Sequence, residues 1–174
     1  MDESDAPLAT RISERCRLTG TFTLRSGAVA STYFDKYLFE SDPELLAAVA
    51  SLAAERVPED VEVLAGLELG GVPVATAMSL TTGIPAAFVR KAAKAYGTAK
   101  LAEGAAIEGR RVLIVEDVIT TGGQVVTSAS GLRSLGAELV GVLCVIDRSD
   151  GQHRLADAGL DLISLFTAAD LEPR

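Results

Sequence analysis

The run "VLIVEDVITTGG", Val112 to Gly123, places two acids directly after an apolar stretch and follows them with a loop of hydroxyls and glycines. Glu116 and Asp117 close what reads as a buried strand. Thr120, Thr121, Gly122 and Gly123 then offer hydroxyl groups and unobstructed backbone N–H groups where the next helix begins. A helix N-terminus with free N–H groups is an anion site suited to a phosphate. Carboxylates beside such a loop repel a bare phosphate but suit a sugar phosphate. The loop takes the phosphate, while the carboxylates accept hydrogen bonds from sugar hydroxyls or hold a hydrated metal ion. The spacing is not that of G-x-x-x-x-G-K-[ST], and no G-x-G-x-x-G is present. An isolated acid pair could equally be solvated side chains ahead of a capped helix; the immediate Thr-Thr-Gly-Gly continuation argues for a ligand.

A second group of residues carries the opposite charge. Arg90, Lys91, Lys94 and Lys100 lie in a stretch that contains no acid, within a chain of net charge −8. Such a local positive patch is either a solvated surface loop or a clamp for a diphosphate. Cations delivered to a leaving diphosphate stabilise the transition state more than the ground state, because charge builds there as the bond breaks. Arg148 follows the apolar run "LVGVLCVID" and can form a bidentate pair with a planar carboxylate, or a plain ion pair with Asp147. Arg25 sits in a turn between two alternating stretches, and Tyr33 and Phe34 in the second of them. His153, the one histidine, is expected on the surface, so no imidazole acid is available to the basic loop.

The elements that must position these groups read as follows. Pro7 to Arg17 is predicted helical. "TFTL" and "STYFDKYLF" read as strands, with "RSGAVA" as the turn between them. "SDPELLAAVASLAAERV" is the clearest helix: Ser41 or Asp42 can cap it, Pro43 suits its first position, and Leu45, Leu46, Val49 and Leu52 share a face. Strand and helix then alternate: "VEVLAGLE", Val72 to Thr81, "IPAAFV", "RVLIVED", Gly123 to Leu135, "ELVGVLCVID" and "LDLISLF". Buried apolar strands alternating with helices predict an α/β fold with a mainly parallel central sheet flanked by helices. Ligands in such sheets sit beyond the carboxyl ends of the strands. The segment from Lys91 to Arg110 has no strand or helix pattern, and so long a loop is usually functional or mobile.

Composition bounds the rest. A chain of 174 residues with 48% hydrophobic and 23% charged residues reads as a single globular domain. Its acidic balance argues against nucleic acid as a partner. Cys16 and Cys144 fit no metal or redox spacing, and Cys144 is expected in the core. There is no apolar run of membrane-spanning length, and the acidic "MDESDAPLAT" lacks the regions of a signal peptide, so a cytoplasmic location is expected.

Two apolar residues, two acids and a short Thr/Gly loop resemble the phosphoribosyl-diphosphate signature of the type I phosphoribosyltransferases. "VEDVITTGG" is most similar to the version in their orotate branch. "TLRSGAVASTYFDKYLFESDP" resembles that branch's N-terminal hood, "GLELGGVPVATA" its first phosphate-side loop, "FVRKAAKAYGTAKLAEG" its mobile catalytic loop and "VIDRSDG" its base-binding strand end. The resemblance implies a hood over about residues 1–40 and a core over about 41–174. It also implies transfer of the phosphoribosyl group of 5-phosphoribosyl 1-diphosphate to orotate, giving orotidine 5'-phosphate and diphosphate in UMP biosynthesis. Arg90, Lys91, Lys94 and Tyr96, with Glu116, Asp117, Val118, Ile119, Thr120, Thr121, Gly122, Gly123 and Gln124, would bind the phosphoribosyl diphosphate. Lys94 and Asp117 would be catalytic, and Arg25, Tyr33, Phe34, Thr120 and Arg148 would bind orotate. Mg²⁺ would be held mainly through the substrate's diphosphate, and a homodimer would share its active sites. The family loop often carries K-x-H-G, and Tyr96 stands here at the histidine position, able to donate a hydrogen bond but uncharged near neutral pH. Two rival readings share the fold: a purine phosphoribosyltransferase, against which the hood and Arg148 argue, and a non-catalytic sensor of phosphoribosyl diphosphate, against which the basic loop argues.

Overall fold

The structure, a computed structural model, describes residues 6–23, 27–92 and 101–172. Helix α1 (Ala6–Cys16) leads into β1 (Arg17–Thr23), which pairs antiparallel with β2 (Val29–Phe34) as a separate two-stranded sheet. The stretch "STYFDKYLF" does not continue as a strand to Phe39. The backbone N–H of Tyr37 donates to Asp35 Oδ1 at 3.1 Å, and the chain folds into a single helical turn, α2 (Tyr37–Glu40). A local aspartate–backbone bond of this kind offers the chain a turn in place of a strand ladder.

Helix α3 (Pro43–Ala54) starts where expected. Asp42 Oδ1 accepts from the N–H groups of Glu44 and Leu45 at 3.1 and 3.2 Å, and Pro43 occupies the first turn. The core sheet follows: β3 (Val63–Leu67), α4 (Gly71–Thr82), β4 (Ala86–Val89), β5 (Ala102–Gly104), β6 (Arg111–Ile119), α5 (Gly123–Ser134), β7 (Glu138–Asp147) and β8 (Leu162–Thr167). Its strand order is β5-β4-β3-β6-β7-β8, parallel throughout except for β5. The predicted α/β class, a mainly parallel sheet flanked by helices, is the observed one.

Period-two alternation splits the core. Leu64, Leu113, Val115, Leu143 and Val145 face a cluster with Ile12, Phe39, Val49 and Met78, while Ala65, Leu67, Val112, Ile114, Val142 and Cys144 face one with Leu132 and Leu155. With both faces covered, every residue of β3 is buried, which is why its sequence shows no polar alternation. Both cysteines are fully buried free thiols; burial raises Cys16 to about 11 and pushes Cys144 higher still.

Two differences from expectation bear on the site. Strand β6 does not end at Asp117 but runs to Ile119, because Val118 and Ile119 pair with Ile146 and Asp147 of the longer β7. The segment after Lys91 holds a short antiparallel strand, β5, in which Ala102, Glu103 and Gly104 pair with Val89, Phe88 and Ala87 along the open edge of β4. Three residues are too few to show a period. The crossover from β3 leads to one side of the sheet and that from β6 to the other. The topological switch point therefore lies between β3 and β6, where doubly wound sheets bind their ligands.

Candidate active site

Asp117 is 1% exposed and Glu116 8%, both on β6 at the switch point. Glu116 Oε1 accepts the backbone N–H of Asp117 at 3.0 Å. On the same face, the α2 turn delivers two further charged groups. Lys36 makes an ion pair with Asp117 Oδ2, its side chain 33% exposed, and Glu40 is buried beside it. The approach is permitted by Gly70, at the start of α4: a Cβ there would run into the Asp117 carboxylate and come within 2.7 Å of Glu40 Oε1. Gly71 lies as close to β6, where a Cβ would strike the backbone carbonyl of Val115.

Three carboxyls against one ammonium cannot all be ionised in so dry a place. Burial would raise Asp117, but hydrogen bonds from Glu116, Glu40 and Lys36 outweigh it and hold Asp117 at about 2. Burial, reinforced by the hydrogen bond and charge of Asp117, pushes Glu40 and Glu116 each to about 9. Burial would lower Lys36, yet the hydrogen bond and charge of Asp117 leave it raised. Apart from the ion pair, neither Asp117 oxygen nor Glu40 Oε1 has a hydrogen-bond donor among the described residues; a proton carried by Glu40 or Glu116 supplies one. At neutral pH the cluster therefore holds one carboxylate, Asp117, and one ammonium.

Beyond β6 the loop takes the predicted form. Thr120 and Thr121 are exposed, and Gly122 adopts φ 72°, a left-handed conformation that suits glycine, directly before α5. A Cβ on Gly123 would meet only Thr121 Oγ1, at 3.8 Å, so a ligand can approach the start of α5. The side chains of Val118 and Ile119 pack inward with the two core clusters, and Gln124 Nε2 donates to Ser128 Oγ at 3.2 Å within α5. What Val118 and Ile119 can offer a ligand is backbone.

Aromatic and basic groups converge on a neighbouring cavity of about 370 Å³, lined by Arg17, Thr32, Tyr33, Phe34, Arg148, Ala168, Leu171 and the acidic Glu172. The Arg148 guanidinium lies 6.0 Å from the centre of the Phe34 ring, a cation–π arrangement, and its backbone N–H donates to Ile119 O at 2.8 Å. No salt bridge joins Arg148 to Asp147; Asp147 Oδ1 instead accepts from Ser149 N–H and Oγ at 2.8 and 2.6 Å. Thr120 is not part of the lining. A larger cavity of about 600 Å³, between Leu101, Ile107, Gly131 and Leu135, brings no charged cluster together.

Of the basic loop, Arg90 follows β4 with its N–H bonded to Leu101 O at 2.9 Å, and Lys91 N–H donates to Glu68 Oε2 at 3.1 Å. Both stand at the ligand edge of the sheet. Arg25, Lys94, Tyr96 and Lys100 lie outside the described residues. His153 is half-buried rather than on the surface, in the turn whose Arg154 N–H donates to Thr121 O at 3.1 Å. Sequence reasoning missed Lys36, Glu40 and Arg17. Lys36 was hidden inside an apparent strand, and Glu40 falls between the end of that strand and the helix predicted next. Arg17 is recognisable only through its register, opposite Phe34.

A parallel sheet with paired acids and an open Thr/Gly loop at its switch point is an arrangement suited to a phosphorylated sugar. Comparison with known proteins narrows the class. A family described as the phosphoribosyl transferase domain matches residues 39–162. An orotate phosphoribosyltransferase of a Nocardioides species is 56% identical over 169 residues, 97% of this chain and 94% of its own. One from Halobacterium salinarum is 45% identical over 153 residues, 87% of each chain. The crystal structure of Mycobacterium tuberculosis orotate phosphoribosyltransferase in complex with 5-phospho-α-D-ribosyl 1-diphosphate superposes with a TM-score of 0.80 at 35% identity, covering 95% of this chain and 97% of that one. The chain belongs to the phosphoribosyltransferase family, in its orotate branch.

Proposed function

We propose that this site transfers the phosphoribosyl group of 5-phosphoribosyl 1-diphosphate to orotate, releasing diphosphate and forming orotidine 5'-phosphate, a step of pyrimidine (UMP) biosynthesis. The observation that carries the reading is the pairing of two features on adjacent strands. The paired acids and the open Thr/Gly loop stand at the end of β6, and a guanidinium over an aromatic ring stands at the end of β7. Orotate is planar and carries a carboxylate; Arg148 can pair with that carboxylate while Tyr33 and Phe34 line the ring's cavity. A purine base has no carboxylate for Arg148. Arg25 and Thr120 complete the proposed orotate set.

In this reading the Thr120–Gln124 loop and the start of α5 hold the 5'-phosphate, and Glu116 and Asp117 bind the ribose hydroxyls. The ionised Asp117 can also stabilise positive charge on the sugar as the glycosidic bond opens in a dissociative transition state. Arg90, Lys91 and Lys94 take the charge that accumulates on the leaving diphosphate, Lys94 as the main cation, and Tyr96 donates a neutral hydrogen bond. We read the molecule as a hood over about residues 1–40 on a core over about 41–174, located in the cytoplasm. We further propose a homodimer in which Lys94 serves the neighbouring subunit's site.

Mg²⁺ belongs in this scheme on the substrate. Lys36 already stands against Asp117, where a second cation would be repelled, and the described residues bring no three His, Cys, Asp or Glu side chains into a metal-ligating group. The chain's residues do not fit a protein-held ion, which enters as a counter-ion of the diphosphate.

The direct test is the loss of orotate absorbance on adding phosphoribosyl diphosphate and Mg²⁺, with adenine, guanine and xanthine as controls. Consumption of orotate alone is expected; consumption of a purine instead would overturn the assignment. Asp117→Asn should fold and lose most turnover, with Glu116→Gln the same or milder; wild-type turnover in folded Asp117→Asn would remove Asp117 from the chemistry.

A further inference from the structure

We propose that Lys36 is a positioning residue for the transfer reaction: its ammonium, carried into the site by the α2 turn of the hood, fixes the Asp117 carboxylate in the state that sugar hydroxyls require. The proposal rests on the reading of Asp117 as a ribose-binding group.

Local chemistry explains how a hood residue reaches the core. Asp35 is anchored by its own N–H, which donates to Cys16 O at 2.8 Å, and its Oδ1 caps the turn through Tyr37 N–H. Phe39, fully buried, fastens the turn to the core. Lys36 and Glu40, four residues apart, then fall on one face of the turn, and that face is turned toward Asp117. Lys36 Nζ also lies 5.3 Å from the Tyr37 ring centre, which steadies the cation.

The surroundings of Asp117 make that ammonium necessary. Among the described residues, the groups facing it are Glu116 on its own strand, Lys36 and Glu40 from α2, and, at longer range, Cys144 on β7; Asp35 acts on Glu40 rather than on Asp117. Gly70 closes the remaining side and has no side chain. Among these, Lys36 alone can be positive. Among the described residues no donor other than the ammonium and the protons on Glu40 and Glu116 holds the carboxylate, the Asp117 backbone N–H being given to Glu116. Without Lys36 the Asp117 carboxylate keeps its bonds from Glu116 and Glu40 but loses its positive partner, so it takes up a proton at a higher pH, and a protonated acid is a poor acceptor for a sugar hydroxyl. The Lys36 side chain is 33% exposed, so it can turn outward as sugar hydroxyls replace it on Asp117. Its charge then stays beside the arriving diphosphate ester.

The experiment is titration calorimetry of phosphoribosyl diphosphate with Mg²⁺, in the absence of orotate, between pH 4 and 8. It uses wild type, Lys36→Met, Lys36→Arg and Glu40→Gln. Loss of an opposite charge raises a carboxyl pKa by about 1–3 units, so Asp117, near 2 in the wild type, would titrate between about 3 and 5 in Lys36→Met, which should bind up to about tenfold more weakly than wild type at pH 4 and approach it by pH 7. Lys36→Arg should restore most of the affinity and the flat wild-type profile. Glu40→Gln keeps a neutral partner for Asp117 and should bind like wild type at pH 7. If Lys36→Met unfolds, the comparison of Lys36→Arg with Lys36→Gln gives the same reading. Binding by the neutral variants that equals wild type, or that falls by the same factor at every pH, overturns the proposal. A wild type that binds phosphoribosyl diphosphate but leaves orotate unconsumed overturns the assignment of the reaction and leaves the role of Lys36 measurable.

Discussion

Gly70→Ala tests how tightly the acid cluster is wedged beneath the start of α4. Gly70 has ordinary helical backbone angles, φ −69° and ψ −30°, so alanine meets no conformational objection. The objection is space, because the new methyl would overlap the Asp117 carboxylate and sit 2.7 Å from Glu40 Oε1. Asp117 has a short side chain and is 1% exposed, so it cannot retreat without leaving Lys36. Overpacking of this kind costs about 1–3 kcal/mol. In a chain of 174 residues each kcal/mol is about 2–4 °C in Tm, so a fall of about 2–12 °C is expected. A carboxylate displaced by about 1 Å also misplaces the sugar, on a scale of roughly a hundredfold in kcat/KM for phosphoribosyl diphosphate. Thermal unfolding followed by circular dichroism and steady-state orotate depletion read the two effects. Gly123→Ala is the control for stability: its methyl would meet only Thr121 Oγ1 at 3.8 Å, and the Tm should stay within about 2 °C of wild type. A Gly70→Ala protein with wild-type Tm and wild-type kcat/KM would refute the wedged arrangement.

Arg148→Ala should raise the KM for orotate by roughly ten- to hundredfold, and more than that for phosphoribosyl diphosphate, as expected for loss of a charge-assisted pair; an unchanged orotate KM would reopen the purine reading. Lys94→Ala mixed with Asp117→Asn under subunit exchange should recover up to about a quarter of wild-type activity, since half the dimers are mixed and half their sites are whole. No recovery, with mixed dimers shown to form, would refute sharing across the interface. Stability should fall as pH rises from about 5 to 9. Glu40 and Glu116 are held near 9 when folded, so the native state keeps protons that the unfolded chain, with carboxyls near about 4.3, releases. Asp117, held near 2, adds stability above about pH 4 that is lost only as pH falls toward 2. A Tm constant between pH 6 and 9, or a slope that Glu40→Gln leaves untouched, would contradict this.

The sheet was legible because its strands are buried on both faces and its helices announce themselves, as Asp42 and Pro43 do for α3. The exposed loop before α5 was legible because Thr-Thr-Gly-Gly directly after a buried strand breaks the strand and leaves room at the helix start. What was not legible depended on contacts distant in sequence. The two further residues of β6 are held by β7, and β5 exists only because β4 leaves an edge open. Lys36 was concealed by good alternation in "STYFDKYLF"; the bond from Tyr37 N–H to Asp35 Oδ1 overrides that pattern. Its role could not be read locally, since the partner, Asp117, lies far along the chain. Arg148 was read correctly as a group at a strand end, but the Phe34 ring under it comes from a different sheet.

The two thiols have a practical consequence. Thiolate is the reactive form, and Cys16 and Cys144 are both fully enclosed with their ionisation pushed upward by burial. Maleimide reagents should therefore pass over the native protein while it is folded. A single cysteine introduced on β2, at exposed Val29 for example, could carry a fluorophore without removal of either native residue. The surroundings of the two-stranded sheet could then be followed optically with both native thiols in place, and late labelling of Cys16 and Cys144 would serve as an internal clock for unfolding.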